Sequence, residues 1–149
     1  MSAAAAAASP VVIESPLLGR LEIPADLVIT FAAGLPGFGA LRRFALLATE
    51  EPALNWLQSV DDGAITFLVV DPFSFVADYA VELPPGEIAA LGATPDAPPL
   101  VLAIATLGAD ETATLNLQGP LAIDPRTRRG RQVVLPDSPW GMAHPIRLG

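Results

Sequence analysis

The sequence predicts a mainly β protein, an antiparallel sandwich or barrel with one short helix, and three observations carry that expectation. Sixteen prolines and twelve glycines cut the 149 residues into short segments, with the spacing of roughly ten residues that all-β sandwiches and barrels show. Residues 112–123 alternate with period two: Ala113, Leu115, Leu117, Leu121 and Ile123 fall on one face, and Thr112, Thr114, Asn116 and Gln118 on the other. That is the pattern of a strand with one face in a core. Only one stretch, 84–92, carries the start and stop signals of a helix.

In chain order the candidate strands are 11–14, 20–23, 27–31, 43–48, 56–60, 64–70, 76–83, 100–107, 112–123 and 131–135. In LPGFG (35–39), Pro then Gly is the chemistry of a type II turn. SVDDGAITF joins two β-like runs through Asp61-Asp62-Gly63, where the glycine is expected to supply the positive φ of a tight hairpin. The helix reads LPPGEIAALG: prolines suit its first turn, Glu87 complements its N-terminus and Gly92 suits its end. DAPP (96–99) closes the following loop, and Pro120 places its part of the strand at an edge or a bulge. The Ala-rich segment 1–10 reads as a flexible tail and 11–149 as one domain.

Composition narrows the function. The chain is 52% hydrophobic and 16% charged, a balance that favours folding over disorder. Its longest apolar runs, AITFLVV and LVLAIATLGA, fall short of the roughly 20 residues of a membrane helix. The start lacks the charged and Leu-rich regions of a secretory signal. With no cysteine there is no disulfide, thiolate nucleophile or zinc-thiolate site, and a cytoplasmic location is expected. The single histidine, His144, lies near the C-terminus, so no Ser–His–Asp device is assembled from sequence. The pairs Glu50-Glu51, Asp61-Asp62 and Asp110-Glu111 sit where carboxylates mark turns. No metal-ligand spacing and no glycine-rich phosphate loop occurs. The expectation is no enzyme, no cofactor and no metal.

Charge is distributed unevenly. All eight basic residues are arginine and the net charge is −8. Residues 126–149 hold five of the arginines and only Asp137 among the carboxylates, while 1–125 hold the rest of the acid. A surface of the second kind repels phosphate backbones and attracts basic protein. DPFSFVADY (71–79) is the leading binding segment, since Phe73, Phe75 and Tyr79 lie beside Asp71 and Asp78. Exposed, these are aromatic anchors beside negative charge; alternatively Phe73 and Phe75 share a strand parity and face the core. The tail WGMAHPIRLG either straps the sheet or presents an apolar patch. Four arginines, Arg126, Arg128, Arg129 and Arg131, crowd DPRTRRGRQ, which reads as a hairpin tip or as a nucleic-acid contact.

The segments ITFAAGLPGFGALRRFALL (29–47), WLQSVDDGAITFLVVDPFSFVADYAVEL (56–83), ATLNLQGPLAID (113–124), GRQVVL (130–135) and HP (144–145) follow one another in the order seen in the FliW family of flagellar assembly factors. The chain resembles that family over residues 11–146, most specifically in GLPGF, in LQSVDD followed by DPF, and in NLQGPLAID followed by GRQVVL. The resemblance implies a small antiparallel β-barrel-like domain, cytoplasmic and without catalysis, beside which stands the short helix near 85–91 already read from the residues. It implies two protein partners: flagellin, and the basic translational repressor CsrA, which the family antagonises allosterically and not by filling its RNA groove. Flagellin competes for the family member, so flagellin level is coupled to flagellin translation. The partner-binding residues expected here are Asp61, Asp62, Asp71, Phe73 and Asp78, with the polar row Asn116 and Gln118. Two other readings stand beside this one: an RNA-binding β-barrel using the Arg126–Arg131 hairpin, and a chaperone whose sole partner is flagellin.

Overall fold

Eleven strands and two short helices make up the computed structural model, which describes residues 9–148 apart from 36 and 95. The expected tail, 1–10, therefore lies almost wholly outside the described residues. A hairpin of β1 (Val11–Ser15) and β2 (Gly19–Ile23) is followed by β3 (Val28–Thr30), β4 (Arg43–Ala48), β5 (Leu54–Ser59) and β6 (Thr66–Val70). Helix α1 (Pro72–Phe75), helix α2 (Pro85–Ala90) and β7 (Leu100–Leu107) come next. Then come β8 (Thr112–Leu115), β9 (Leu121–Asp124), β10 (Arg129–Gln132) and β11 (His144–Arg147).

Seven of the strands close into a barrel in the order β7-β6-β5-β4-β3-β10-β9 and back to β7. A ring with an odd number of strands cannot alternate direction throughout, so one neighbouring pair must be parallel. That pair is β10 on β3, joined at a single register position, Arg129 opposite Thr30. The interior is filled from every side: Ile29 and Phe31, Phe44, Leu57, Val69, Leu102, and Leu121 with Ile123 are all buried together. Phe31 meets Phe44 edge-on at 5.4 Å, an arrangement that contributes about 1 kcal/mol beyond burial. Gly130 lets β10 pass this ring, because a Cβ there would fall 2.5 Å from Phe31.

Three apolar layers coat the outside. The β1–β2 hairpin lays Ile13 and Ile23 on Ala45. Helix α2 covers Ala122 and Val133 with Leu91. Segment 71–83, Trp140 and β11 cover Val70, Ala103, Ala113 and Leu115. Helix α2 ends as its sequence predicts: Gly92 has φ +74, and the amides of Gly92 and Ala93 bond the carbonyls of Ala89 and Ile88, a Schellman closure. The expected turn at 35–38 is also present, with Gly37 at φ +82 and the Phe38 amide donating to the Leu35 carbonyl at 2.7 Å.

Four expectations need correction. The strand expected over 112–123 is broken into β8 and β9, which pair with different halves of one edge of β7. Alternation stops at the break, and Pro120, Ala122 and Asp124 are buried because α2 and the β9–β10 turn cover that side. Residues 76–83 form no strand: the Asp71 side chain and Pro72 start a helical turn, and Tyr79 then bonds back to Val76. The strand expected at 131–135 is displaced to 129–132, since the Val133 and Leu135 amides bond the carbonyls of Pro120 and Gln118 instead of a ladder partner. Gly63 does not have a positive φ; it is needed because the Glu14 carbonyl of the β1–β2 hairpin occupies the space of a Cβ.

Gly63→Ala should therefore destabilise the fold by about 1–3 kcal/mol in urea unfolding, the usual cost of overpacking. Gly86→Ala, on α2 with open space around the Cβ position, should be neutral or slightly stabilising.

Candidate functional site

The segment after β6 turns at Asp71, whose Oδ1 accepts from the Phe73 amide at 3.0 Å and whose Oδ2 accepts from the Ser74 hydroxyl at 2.9 Å. The short side chain satisfies an amide donor at the helix start, which is why Asp-Pro opens a helical turn here. The capping carboxylate is only half-buried. The turn lifts Phe73 outward to 48% exposure, while Phe75 packs partly into the layer below. Strand parity thus does not govern this pair.

Phe73 is backed by a row of rings. It lies 5.4 Å from Tyr79, which meets Trp140 edge-on at 5.4 Å, which in turn meets His144 at 5.6 Å. Tyr79 is 5% exposed and its hydroxyl donates to the Leu117 carbonyl at 3.0 Å. Burial raises its phenol above the ordinary tyrosine value, so it remains a neutral donor. The row ties the 71–79 turn to the C-terminal strap, where His144 pairs with Leu115 of β8. Asp78 is exposed between Phe73 and Tyr79 in sequence and makes no hydrogen bond or ion pair among the described residues. The arrangement is a half-exposed aromatic ring backed by other rings, in a segment that also carries Asp71 and Asp78, a surface suited to a protein partner with cationic and apolar groups.

The expected residues do not all converge on this face. Asp71 caps the turn that carries Phe73, and Asp78 is exposed next to Tyr79 in the chain. Asp61 and Asp62 sit at the other end of the β5–β6 hairpin, separated from Asp71 by the length of β6, about 17 Å for five residues. Both have structural roles there. Asp61 accepts from the Arg42 and Arg43 amides, each at 2.9 Å, and from the Arg43 guanidinium at 2.8 Å. Partial burial raises its carboxyl, but these donors more than offset that and hold it below the ordinary carboxylate value. Asp62 accepts from the Ala64 amide at 3.0 Å. Asn116 and Gln118 lie in the break between β8 and β9. Asn116 accepts from the Gly119 amide at 2.9 Å and the Gln118 amide group reaches the Pro136 carbonyl. They line a small hollow of about 160 Å³ with Gln132, Val134 and Met142.

Trp140 and His144 belong to the aromatic row, a role the sequence analysis did not give them. The usable signal was the apolar tail, in which β11 carries His144 and the bend before it carries Trp140, the ring that meets Tyr79. The arginine cluster is largely engaged: Arg126 pairs with Asp124 at 3.5 Å, Arg131 with Glu87, and Arg128 with the Leu27 carbonyl. Among the described residues no group of three His, Cys, Asp or Glu could hold a metal ion, and no helix is long and apolar enough to cross a membrane.

Removing the Asp61 carboxylate tests its structural role. Asp61→Ala should lower stability by about 1–2 kcal/mol at pH 7, since three donors lose their acceptor. A depressed carboxyl contributes above its unfolded value and loses that contribution as pH falls through the folded value, so the difference from the parent should shrink below about pH 4. Phe73→Ala, at a half-exposed site, should cost under about 1 kcal/mol by the same measurement.

Comparison with known proteins accounts for this arrangement. A family model described as FliW protein matches residues 12–146. The flagellar assembly factor FliW of Natranaerobius thermophilus is 36% identical over 137 residues, spanning 90% of this chain and 91% of the relative. That of Moorella thermoacetica is 39% identical over 132 residues, spanning 86% and 83%. A crystal structure of the flagellar assembly factor FliW superposes with a TM-score of 0.83 at 31% identity, covering 93% of this chain and 96% of the other. With sequence and barrel in agreement over nearly the whole length, the chain belongs to the FliW protein family.

Proposed function

We propose that this chain is a cytoplasmic, non-catalytic flagellar assembly factor that binds flagellin and the translational repressor CsrA. CsrA is antagonised allosterically, so that free flagellin, by competing, sets how much CsrA is restrained. The observation that carries the reading is the exposed Phe73 in a segment that also carries Asp71 and Asp78, backed by the rings of Tyr79, Trp140 and His144. A rigid aromatic ring loses little entropy on binding and supplies apolar contact. The neighbouring carboxylates favour encounter with a basic surface and select against an acidic one. The net charge of −8 acts in the same direction at longer range.

The RNA-binding alternative has less support, because two of the four hairpin arginines, Arg126 and Arg131, are paired with carboxylates and the chain's net charge of −8 repels a phosphate backbone. Among the described residues that line the cleft beside it, none is an aromatic that could stack a base.

Size-exclusion runs of this chain with its cognate CsrA, with flagellin, and with both test the proposal. A complex with CsrA that added flagellin displaces is expected, with association slowing as salt rises. Phe73→Ala should weaken whichever complex uses this face by about ten-fold or more. Binding of flagellin alone supports the chaperone reading instead, and no complex with either partner removes the basis of both.

A further inference from the structure

Where β10 crosses β3 at the parallel seam, a cleft of about 340 Å³ opens on the barrel surface. Val28 and Thr30 of β3, Leu91 at the end of α2, and Arg128, Arg129 and Arg131 line it. Three of the eight cationic side chains of an acidic chain therefore converge on one hollow. Only Arg131 is neutralised there, by Glu87.

The Arg128 guanidinium bonds two uncharged acceptors, the carbonyls of Leu27 at 2.5 Å and Pro125 at 3.3 Å. Its Nε is buried without a partner. Arg129 is exposed and makes no hydrogen bond or ion pair among the described residues. Its Nη1 lies 3.7 Å from where a Cβ on Gly92 would be, against the end of α2. Two guanidiniums without a carboxylate partner among the described residues suit an oxyanion, for which arginine offers parallel N–H groups.

The rest of the wall decides which oxyanion. Val28, Ala32 and Ala90 present aliphatic surface beside the guanidiniums, which a free or nucleic-acid phosphate leaves unused. A carboxylate next to an aliphatic side chain uses both. We infer that this cleft binds an acidic peptide segment through a carboxylate flanked by an aliphatic residue. None of the residues placed in the aromatic face lines it, so the site is separate from the one proposed above and is tested on the chain alone.

The probe is the peptide acetyl-Ala-Glu-Leu-Ala-amide, compared with its Gln counterpart and with inorganic phosphate at equal ionic strength. The readout is the NMR signal of the arginine Nε–Hε groups. The Glu peptide should shift Arg128 and Arg129 saturably, with affinity about ten-fold above that of the Gln peptide, the scale of a charge-assisted bond. Arg129→Gln should remove most of that preference with the backbone spectrum unchanged. Arg20→Gln, at an exposed arginine of the β1–β2 hairpin, should leave it intact. Equal binding of the Glu and Gln peptides, phosphate matching the Glu peptide, persistence of the preference in Arg129→Gln, or no saturable shift would each overturn the assignment.

Discussion

Closing a ring of seven strands is the constraint on which the rest of this molecule depends. Direction cannot alternate around an odd ring, so one parallel seam is unavoidable, and parallel neighbours cannot be joined by a tight turn. The chain places the seam between β3 and β10, elements separated by nearly a hundred residues, and holds it by one register pair. The Thr30 amide adds a bond to the Arg128 carbonyl at 2.9 Å. Around this thin joint the β9–β10 turn is reinforced by side chains: Asp124 caps the Arg126 amide, Thr127 donates to the Leu91 carbonyl, and Arg128 reaches the Leu27 carbonyl. Arg128 does so from φ +57, a left-handed conformation unusual outside glycine and asparagine.

The same closure demands that β7 share one edge between two strands. β8 and β9 lie along it in succession, and the chain between them must leave the ladder without stranding polar groups. The partners come from all sides. The Asn116 amide bonds the Ile104 carbonyl, and the Leu117 amide bonds the Gly141 carbonyl. The Leu117 carbonyl accepts from Tyr79, and the Gly119 carbonyl accepts from the Gln132 side chain. The most family-specific motifs are explained in large part by this work. In LQSVDD, Gln58 is wholly buried, with its amide bonded to the Ser59 and Gly63 carbonyls and its oxygen to Thr66. Ser59 and both aspartates also bond to amides.

Once those motifs are assigned to turns, the residues left over for recognition stand out. Phe73 is exposed although aromatic, and Asp78 is exposed beside Tyr79 in the chain without an ion pair among the described residues. Tyr79 links the two concerns: its hydroxyl satisfies the strand break while its ring supports Phe73. The outer layer of segment 71–83, Trp140 and β11 thus determines how firmly Phe73 is held, and a loosened C-terminal strap would be felt there through Trp140.

The residues by themselves determined the β class, most strand positions, helix α2 and its glycine stop, and the turn at Gly37, because each follows from periodicity or local φ preference. They also marked 71–79 as the acidic aromatic segment, since composition alone places Phe73 beside Asp71 and Asp78. Only the tertiary structure decided that 112–123 is two strands, because alternation reports which side of a strand is buried but not which neighbour it meets. It likewise decided that Gly63 serves close approach and not a positive φ, since the carbonyl it accommodates comes from a hairpin some fifty residues earlier. The separation of Asp61 and Asp62 from Asp71 and the gathering of Trp140 and His144 behind Phe73 are long-range facts of the same kind. They arise from which strands pair around a closed ring, and no local spacing encodes that.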